Sequence, residues 1–173
     1  MESIDIKVTV NQCANRNADS FRVLYEHLID KIFAFVVFRV NNREAAKDVT
    51  QDIFIELYQV IPKFRYHSDA AFYAYVFTIA RRQIIKRYKD EKKHQTTAFA
   101  EDSVPGEFSN VEIKHSIHTA LEALDECSRE IMVLHHWSRF TFAEIGALIN
   151  MTESAVRVRH HRARSTLLSL LNS

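Results

Sequence analysis

Glycine and proline are nearly missing from this chain, which has two of each in 173 residues. Glycine supplies left-handed turns and proline supplies breaks, so their scarcity excludes a turn-rich sandwich or barrel and favours uninterrupted helices. Cysteine is equally scarce. Cys13 and Cys127 stand alone without CxxC spacing, which excludes a disulfide framework and reads as two reduced thiols in a cytosolic protein. No sign of charge prevails: 23 Lys and Arg oppose 22 Asp and Glu, for a net +1. Any charge-driven recognition must therefore lie in local clusters. Long hydrophobic runs are also lacking. Ile32–Val40 is the apolar stretch, it carries Arg39, and it falls far short of the ~20 residues that span a bilayer. The first residues are polar through Asn17, so no signal peptide is expected. The expectation is a cytoplasmic protein without membrane insertion.

The apolar fraction, 47%, is enough for two modest cores. Periodicity predicts an all-α protein of two small helical domains on a flexible linker. Residues 1–18 show little periodicity and read as a loose N-terminal extension. In 19–94, Phe21, Leu24, Leu28, Ile32, Phe35 and Val36 recur at helical spacing and predict a helix over 20–40. Asn41-Asn42 marks a stop and a new cap, and a second helix runs from Arg43 to Ile61, where Pro62 ends it. A basic, aromatic loop over 62–68 leads to a third helix from Asp69 to about Asp90. Residues 95–110 hold Thr96, Thr97, Ser103, Pro105, Gly106 and Ser109, with only acidic charges, and read as the linker. In 111–173 one helix carries Ile113, Ile117, Ala120, Leu121 and Leu124, and a second begins after Ser128.

The end of the chain carries the sharpest local signal. Thr141-Phe-Ala-Glu144 is a capping box, in which the hydroxyl caps a backbone N–H and the glutamate reaches back. Asn150 stands where a left-handed residue would close the short helix that follows. Thr152 caps a longer basic helix. Short capped helix, tight turn and basic helix together describe a helix-turn-helix. On a wheel of about 100° per residue, Val156, Ala163 and Leu167 face Ile145 and Leu148, while Ser154, Arg157, Val158, His161 and Arg162 face outward. Arginine reads guanine bidentately and valine meets a thymine methyl. Arg159 and Arg164 flank that side, suited to phosphates.

The first half pairs two further features. In the helix over 43–61, Ala46, Val49, Ile53, Leu57 and Ile61 form the core stripe. Ile55 lies opposite, among Glu44, Asp48, Gln51 and Gln59, as a small docking spot. From Lys63 to Lys93 the chain is basic: Lys63, Arg65, Arg81, Arg82, Lys86, Arg87, Lys89, Lys92 and Lys93. Phe64, Tyr66, Phe72, Tyr73, Tyr75, Phe77 and Tyr88 are interleaved. Cations hold phosphates and aromatic faces stack on unpaired bases, the combination that binds single-stranded nucleic acid. Phe72, Val76 and Ile79 read as core, and the loop over 64–68 with Tyr73 as base contacts.

These residues resemble a known family. Ala46-x-Asp48-x-x-Gln51-x-x-Phe54, Phe64-Arg65 and Phe72-x-x-Tyr75-Val76-x-x-Ile79-Ala80-Arg81 are similar to conserved region two of bacterial RNA polymerase sigma factors. Glu144-Ile145-Gly146, Val156-Arg157-x-Arg159 and Arg162-Ala163 are similar to region four. The order, spacing and short linker resemble the extracytoplasmic-function (ECF) group, whose members direct core RNA polymerase to promoters and assist melting. The resemblance implies a polymerase-binding set of Asp48, Gln51, Asp52, Ile55 and Gln59. It implies a −10 DNA-binding set of Phe64, Arg65, Tyr66, Tyr73, Arg81, Arg82 and Lys86, whose loop would receive a flipped base. It implies a −35 set of Ser154, Arg157, Val158, Arg159, His161 and Arg162. The implied partners are core RNA polymerase and promoter DNA, and such factors are often held inactive by an anti-sigma partner. Three positions depart from the family pattern, which has Trp, Asn and Asp where Tyr75, Arg82 and Lys86 stand. His160-His161 replaces a more usual apolar or aromatic pair. These changes bear on base preference at both elements.

Two other classes fit the sequence less well. A stand-alone helix-turn-helix regulator explains the second half but neither the basic-aromatic helix nor Ile55. A metal enzyme would need three or four convergent ligands. The nine histidines, including His115 and His118 and the doublets His135-His136 and His160-His161, form no HExxH, and no phosphate-binding glycine loop is present. No cofactor, metal, catalytic residue or small-molecule substrate is expected.

Overall fold

The computed structural model describes residues 4–40, 42–94, 117 and 119–171, with the side chains of 91–94 left out. Among the described residues every regular element is a helix. The first is α1, Ile6–Ala14, capped by Asp5, whose carboxylate accepts from Val8 N at 3.0 Å. Ile6, Thr9, Val10 and Cys13 are buried on one side, and burial pushes the Cys13 thiol up to about 11. The loose extension expected over 1–18 is therefore wrong for 6–14. A nine-residue helix gives barely two turns of pattern, and its stability comes from packing rather than propensity.

Arg16 takes a left-handed backbone, φ 59°, and turns the chain into α2, Ala18–Val37, capped by Asn17. Leu24, Leu28, Ile32, Phe35 and Val36 are fully buried along it. Asn42 caps α3, Arg43–Val60, through bonds from Glu44 N and Ala45 N. The expected stripe Ala46, Val49, Ile53, Leu57 and Ile61 is the buried one. Pro62 sits in a 3-10 turn, Ile61–Lys63. After the loop, α4 runs over Asp69–His94, four residues past the expected end.

In the second half, residues 119–122 are helical, and Ala120, Leu121 and Leu124 are buried. Residues 95–116, which include the expected linker and Ile113, lie outside the described residues. The next helix, α5, is Glu126–His136 and starts earlier than Ser128 because Asp125 is its cap. Then come α6, Phe142–Ile149, and α7, Glu153–Leu171. Both halves of the Thr141–Glu144 capping box form, and Asn150 closes α6 at φ 57°. Thr152 Oγ1 accepts from Ala155 N at 3.3 Å to cap α7.

Two helical domains on a tether would keep separate cores. Here one buried cluster runs from Ile6 through Phe77 and Ile84 into Ile131, Leu134, Phe140, Ile145, Leu148 and Val156. A smaller cluster joins Leu121, Leu124, Met132 and Ala163. The two halves thus pack against each other, chiefly α4 on α6 and α2 on α5.

Gly146 explains why one of the two glycines sits inside a helix. A Cβ there would lie 2.5 Å from the Met151 backbone oxygen, and that atom is held by the turn, since Met151 N donates to Gly146 O at 2.8 Å. Gly146→Ala must push the turn away from α6, and overpacking of this kind costs about 1–3 kcal/mol. The urea midpoint of the variant should fall accordingly. An unchanged midpoint would show that the turn gives way freely.

Candidate nucleic-acid interface and docking face

The docking face is built on α3. Asp48, Gln51, Asp52, Ile55 and Gln59 are all exposed, with Ile55 48% accessible. Ile55 is not an isolated apolar residue. It lines a groove of about 550 Å³ between α2 and α3 with Phe21, Tyr25, Phe33, Phe54 and Tyr58. Phe21 meets Tyr58 edge-on at 4.9 Å, and Tyr25 meets Phe54 at 4.5 Å. Sequence reading missed the α2 wall of this groove. Its signal was a second helical stripe, Phe21, Tyr25, Ile29 and Phe33 at i, i+4 spacing.

The basic-aromatic segment divides into exposed and engaged residues. Arg65, Arg82 and Lys86 are exposed, although Arg82 is ion-paired with Glu56. Tyr66 donates to Asp69 Oδ1 at 2.5 Å, and this bond holds its hydroxyl up at about 12. Phe64 is half-buried against Phe72 and Tyr75, with centroids 5.7 and 4.8 Å away. Tyr73 is 5% exposed. Its hydroxyl lies 2.8 Å from His27 Nε2, and burial raises its pKa. In this arrangement Tyr73 is inaccessible to a base, contrary to the expectation of a free contact. Burial also lowers the His27 pKa, with Lys31 acting in the same direction. Arg81 is half-buried and paired with Glu130 of α5 at 2.7 Å.

The helix-turn-helix presents its outward side as the wheel required. Ser154, Arg157, Val158, His161 and Arg162 are exposed, whereas Val156 and Ala163 are buried. Arg157 is poised by Glu153 at 2.5 Å and lies over the Phe142 ring. Arg159 is engaged differently from a free phosphate contact: it pairs with Asp125, the cap of α5, at 3.0 Å. Bonds from Ser128 hold the Asp125 carboxyl below the usual carboxylate range.

Three histidines of the second half, His135, His136 and His160, make structural contacts. His136 Nε2 and His160 Nε2 lie 2.9 Å apart and tie α5 to α7. His135 Nδ1 meets the Phe140 carbonyl at 2.9 Å. The His136 and His160 ring centroids are 5.1 Å apart, so the two nitrogens point nearly head-on, as in an N–H···N bond rather than a chelate. No group of three or more candidate ligands is gathered among the described residues.

Comparison with known proteins places these surfaces in a family. Residues 24–94 match the family model of Sigma-70 region 2, and residues 114–167 match that of Sigma-70, region 4. The chain is 24% identical over 161 residues to the RNA polymerase sigma factor YlaC of Bacillus subtilis, covering 88% of this chain and 92% of that one. It is 27% identical over 158 residues to the RNA polymerase sigma factor CarQ of Myxococcus xanthus, covering 88% and 90%. The fold is shared with CnrH, solved with the cytosolic domain of CnrY, at a TM-score of 0.68 and 22% identity over 95% of this chain and 96% of that one. It is shared as well with the sigma factor RpoE of Bartonella quintana, solved with the anti-sigma factor NepR, at 0.67 and 21% over 90% and 98%. A region 2 followed by a region 4 with little between them defines a two-region transcription-initiation factor. The chain belongs to the sigma-70 family, in its ECF group, and directs core RNA polymerase to promoters.

His160 makes the helix-turn-helix sensitive to acid. Burial, then the neighbouring His135, His136, Arg164 and His161, lowers its pKa from 6.5 to about 4. The folded state then binds fewer protons than the unfolded state between these values. The His160 contribution to stability is therefore fully present above pH 6.5 and is lost as pH falls toward 4. His160→Gln keeps a partner for His136 without the titration. The fall in urea midpoint from pH 7 to pH 4 should be smaller in the variant. Equal slopes would remove His160 from the acid response.

Proposed function

We propose that the three surfaces divide the work of initiation among themselves. Residues 19–94 act as region 2, 95–110 as the linker and 111–173 as region 4. The face of Asp48, Gln51, Asp52, Ile55 and Gln59 docks on core polymerase, with the α2–α3 groove receiving apolar side chains. Arg65, Tyr66, Arg82 and Lys86 hold the −10 strand, joined by Phe64, Tyr73 and Arg81 when these are released. Ser154, Arg157, Val158, His161 and Arg162 read the −35 duplex, with Arg159 at its edge. The observation that carries this reading is the groove around Ile55. A DNA-binding protein with no polymerase to meet has no use for an exposed aromatic cleft rimmed by Lys47, Gln51 and Gln59.

The chemistry is binding alone, with no bond made or broken. Each domain offers few phosphate contacts and binds weakly. Once both are fixed on polymerase, the tether turns two weak contacts into one strong one through effective concentration. Melting follows from capture of unpaired bases that duplex DNA does not offer. The site of action is the cytoplasm, where polymerase works; among the described residues no helix is long and apolar enough to cross a membrane. An anti-sigma partner, of the kind seen with the solved relatives, would compete for the same groove.

The test is transcription by core RNA polymerase on a library of genomic fragments with the purified chain added. Discrete start sites that depend on the chain are expected. Ile55→Glu should abolish them while the circular dichroism and thermal midpoint hold; an unfolded variant would remove the support for docking. Arg157→Ala should weaken −35 duplex binding by about 1–3 kcal/mol if it reads a base. An equal loss on every duplex sequence would demote it to a phosphate contact.

A further inference from the structure

Glu56 reaches from α3 to α4 beside the −10 residues. Each of its carboxylate oxygens is taken. Oε1 is ion-paired with Arg82 Nη2, and Oε2 accepts from Gln83 Nε2 at 2.6 Å. Partners on both oxygens fix the plane of the carboxylate, and with it the direction in which Arg82 is held. The Glu56 side chain is 19% exposed and that of Arg82 is 63% exposed, so the anchor lies in the seam between α3 and α4 while the arginine stands out in solvent. An ion pair this open adds little to stability. Its consequence is orientation: a long side chain that would otherwise sample many rotamers is held in one.

The place of Arg82 on α4 decides what meets it. Tyr75, Thr78, Arg82 and Lys86 follow one another at i+3 and i+4 spacing and share one side of the helix. Tyr75 packs on Phe64 of the −10 loop at 4.8 Å, and Arg82 stands about 10 Å further along the axis. A strand that enters at the loop and follows this side passes over Arg82. Lys86, one turn beyond, is exposed and suits a phosphate, since an ammonium is a point charge that accepts approach from any direction. Arg82 differs in kind. Its guanidinium is a planar fork of N–H donors, and Glu56 engages it at Nη2. A fork held in one direction is what bidentate reading of guanine O6 and N7 requires. The sigma-factor pattern has Asn at this position, and asparagine pairs instead with adenine.

We propose that Glu56 is a positioning residue that makes Arg82 a guanine reader for the −10 element. The inference rests on the sigma-factor reading above. The −10 element of this factor then holds a guanine where an asparagine would select adenine. The base edge that carries O6 and N7 is presented by paired and unpaired guanine alike, so the contact persists through melting. Gln83 takes part by fixing the second oxygen of Glu56.

The test is transcription by core RNA polymerase with the full chain, on a promoter that the wild type uses and whose −10 element is randomised, read by sequencing the transcripts. Wild type should favour guanine at one position by at least about fivefold, the lower end of what a bidentate arginine–guanine pair discriminates. Arg82→Asn and Arg82→Lys, the second of which keeps the charge without the fork, should both remove that preference. Glu56→Gln keeps the shape and an acceptor for Gln83 but not the charge, and should flatten the preference at that position and at no other. Gln83→Met removes the bond to Glu56 without touching Arg82. It should act in the same direction, and it decides the matter if circular dichroism shows Glu56→Gln unfolded. A wild type without the guanine preference, or a preference that survives Arg82→Lys, overturns the proposal. So does a preference that the Glu56 and Gln83 variants leave unchanged, or a loss in them that falls equally on every template. No chain-dependent transcription from any template would instead overturn the sigma-factor reading.

Discussion

Helix α4 is the element on which the remaining structure depends, because three demands meet on it. One side, with Phe72, Val76, Ile79 and Ala80, closes the core of the first half against α2 and α3. Another side, with Tyr73 and Phe77, accepts Phe140 from the second half. What is left carries Arg82 and Lys86 to solvent. A helix asked to be apolar on two sides and basic on a third cannot show a single clean stripe. That is why its periodicity is less orderly than that of α3, whose core positions repeat without interruption.

Electrostatics follow from the same packing. Glu130 would be an unremarkable surface carboxylate on an isolated α5. Against α2 and α4 it becomes the shared acceptor for Arg39 and Arg81, and burial lowers the Arg39 pKa while Glu130 opposes that shift. Lys31 is likewise drawn from water into contact with a ring and a carbonyl, and burial lowers its pKa. Such groups are poor sources of net stability, because their desolvation offsets most of the attraction. They fix register instead, since Glu130 meets Arg39 and Arg81, and Lys31 the Ser138 carbonyl, only in this arrangement of the halves.

Much of the fold was legible before any coordinates. The caps at Asn42, Thr141 and Thr152, the left-handed Asn150 and the core stripe of α3 all depend on neighbours within one or two turns, so local sequence carries them. The outward side of α7 and the Ile55 face were legible for the same reason, since a wheel needs only spacing. Helix α1 was not, because its three apolar positions are too few to stand out and gain meaning only against α2. The groove beside Ile55 needed α2 and α3 together. Tyr73, Phe64 and Arg81 were read as contacts by residue type, yet each is engaged by a partner on another element, Phe64 by Tyr75 of α4.

By itself, the sequence determined an all-helical chain, its cap and turn positions, the inward and outward sides of its recognition helix, and its membership among sigma factors. These are properties of short-range spacing and residue chemistry. Tertiary structure alone decided that the two halves share a core, that Phe140 shields Tyr73, and that Glu130 claims Arg81. Those pairings join residues that are 49 or more positions apart, and no periodicity records a contact at such a distance.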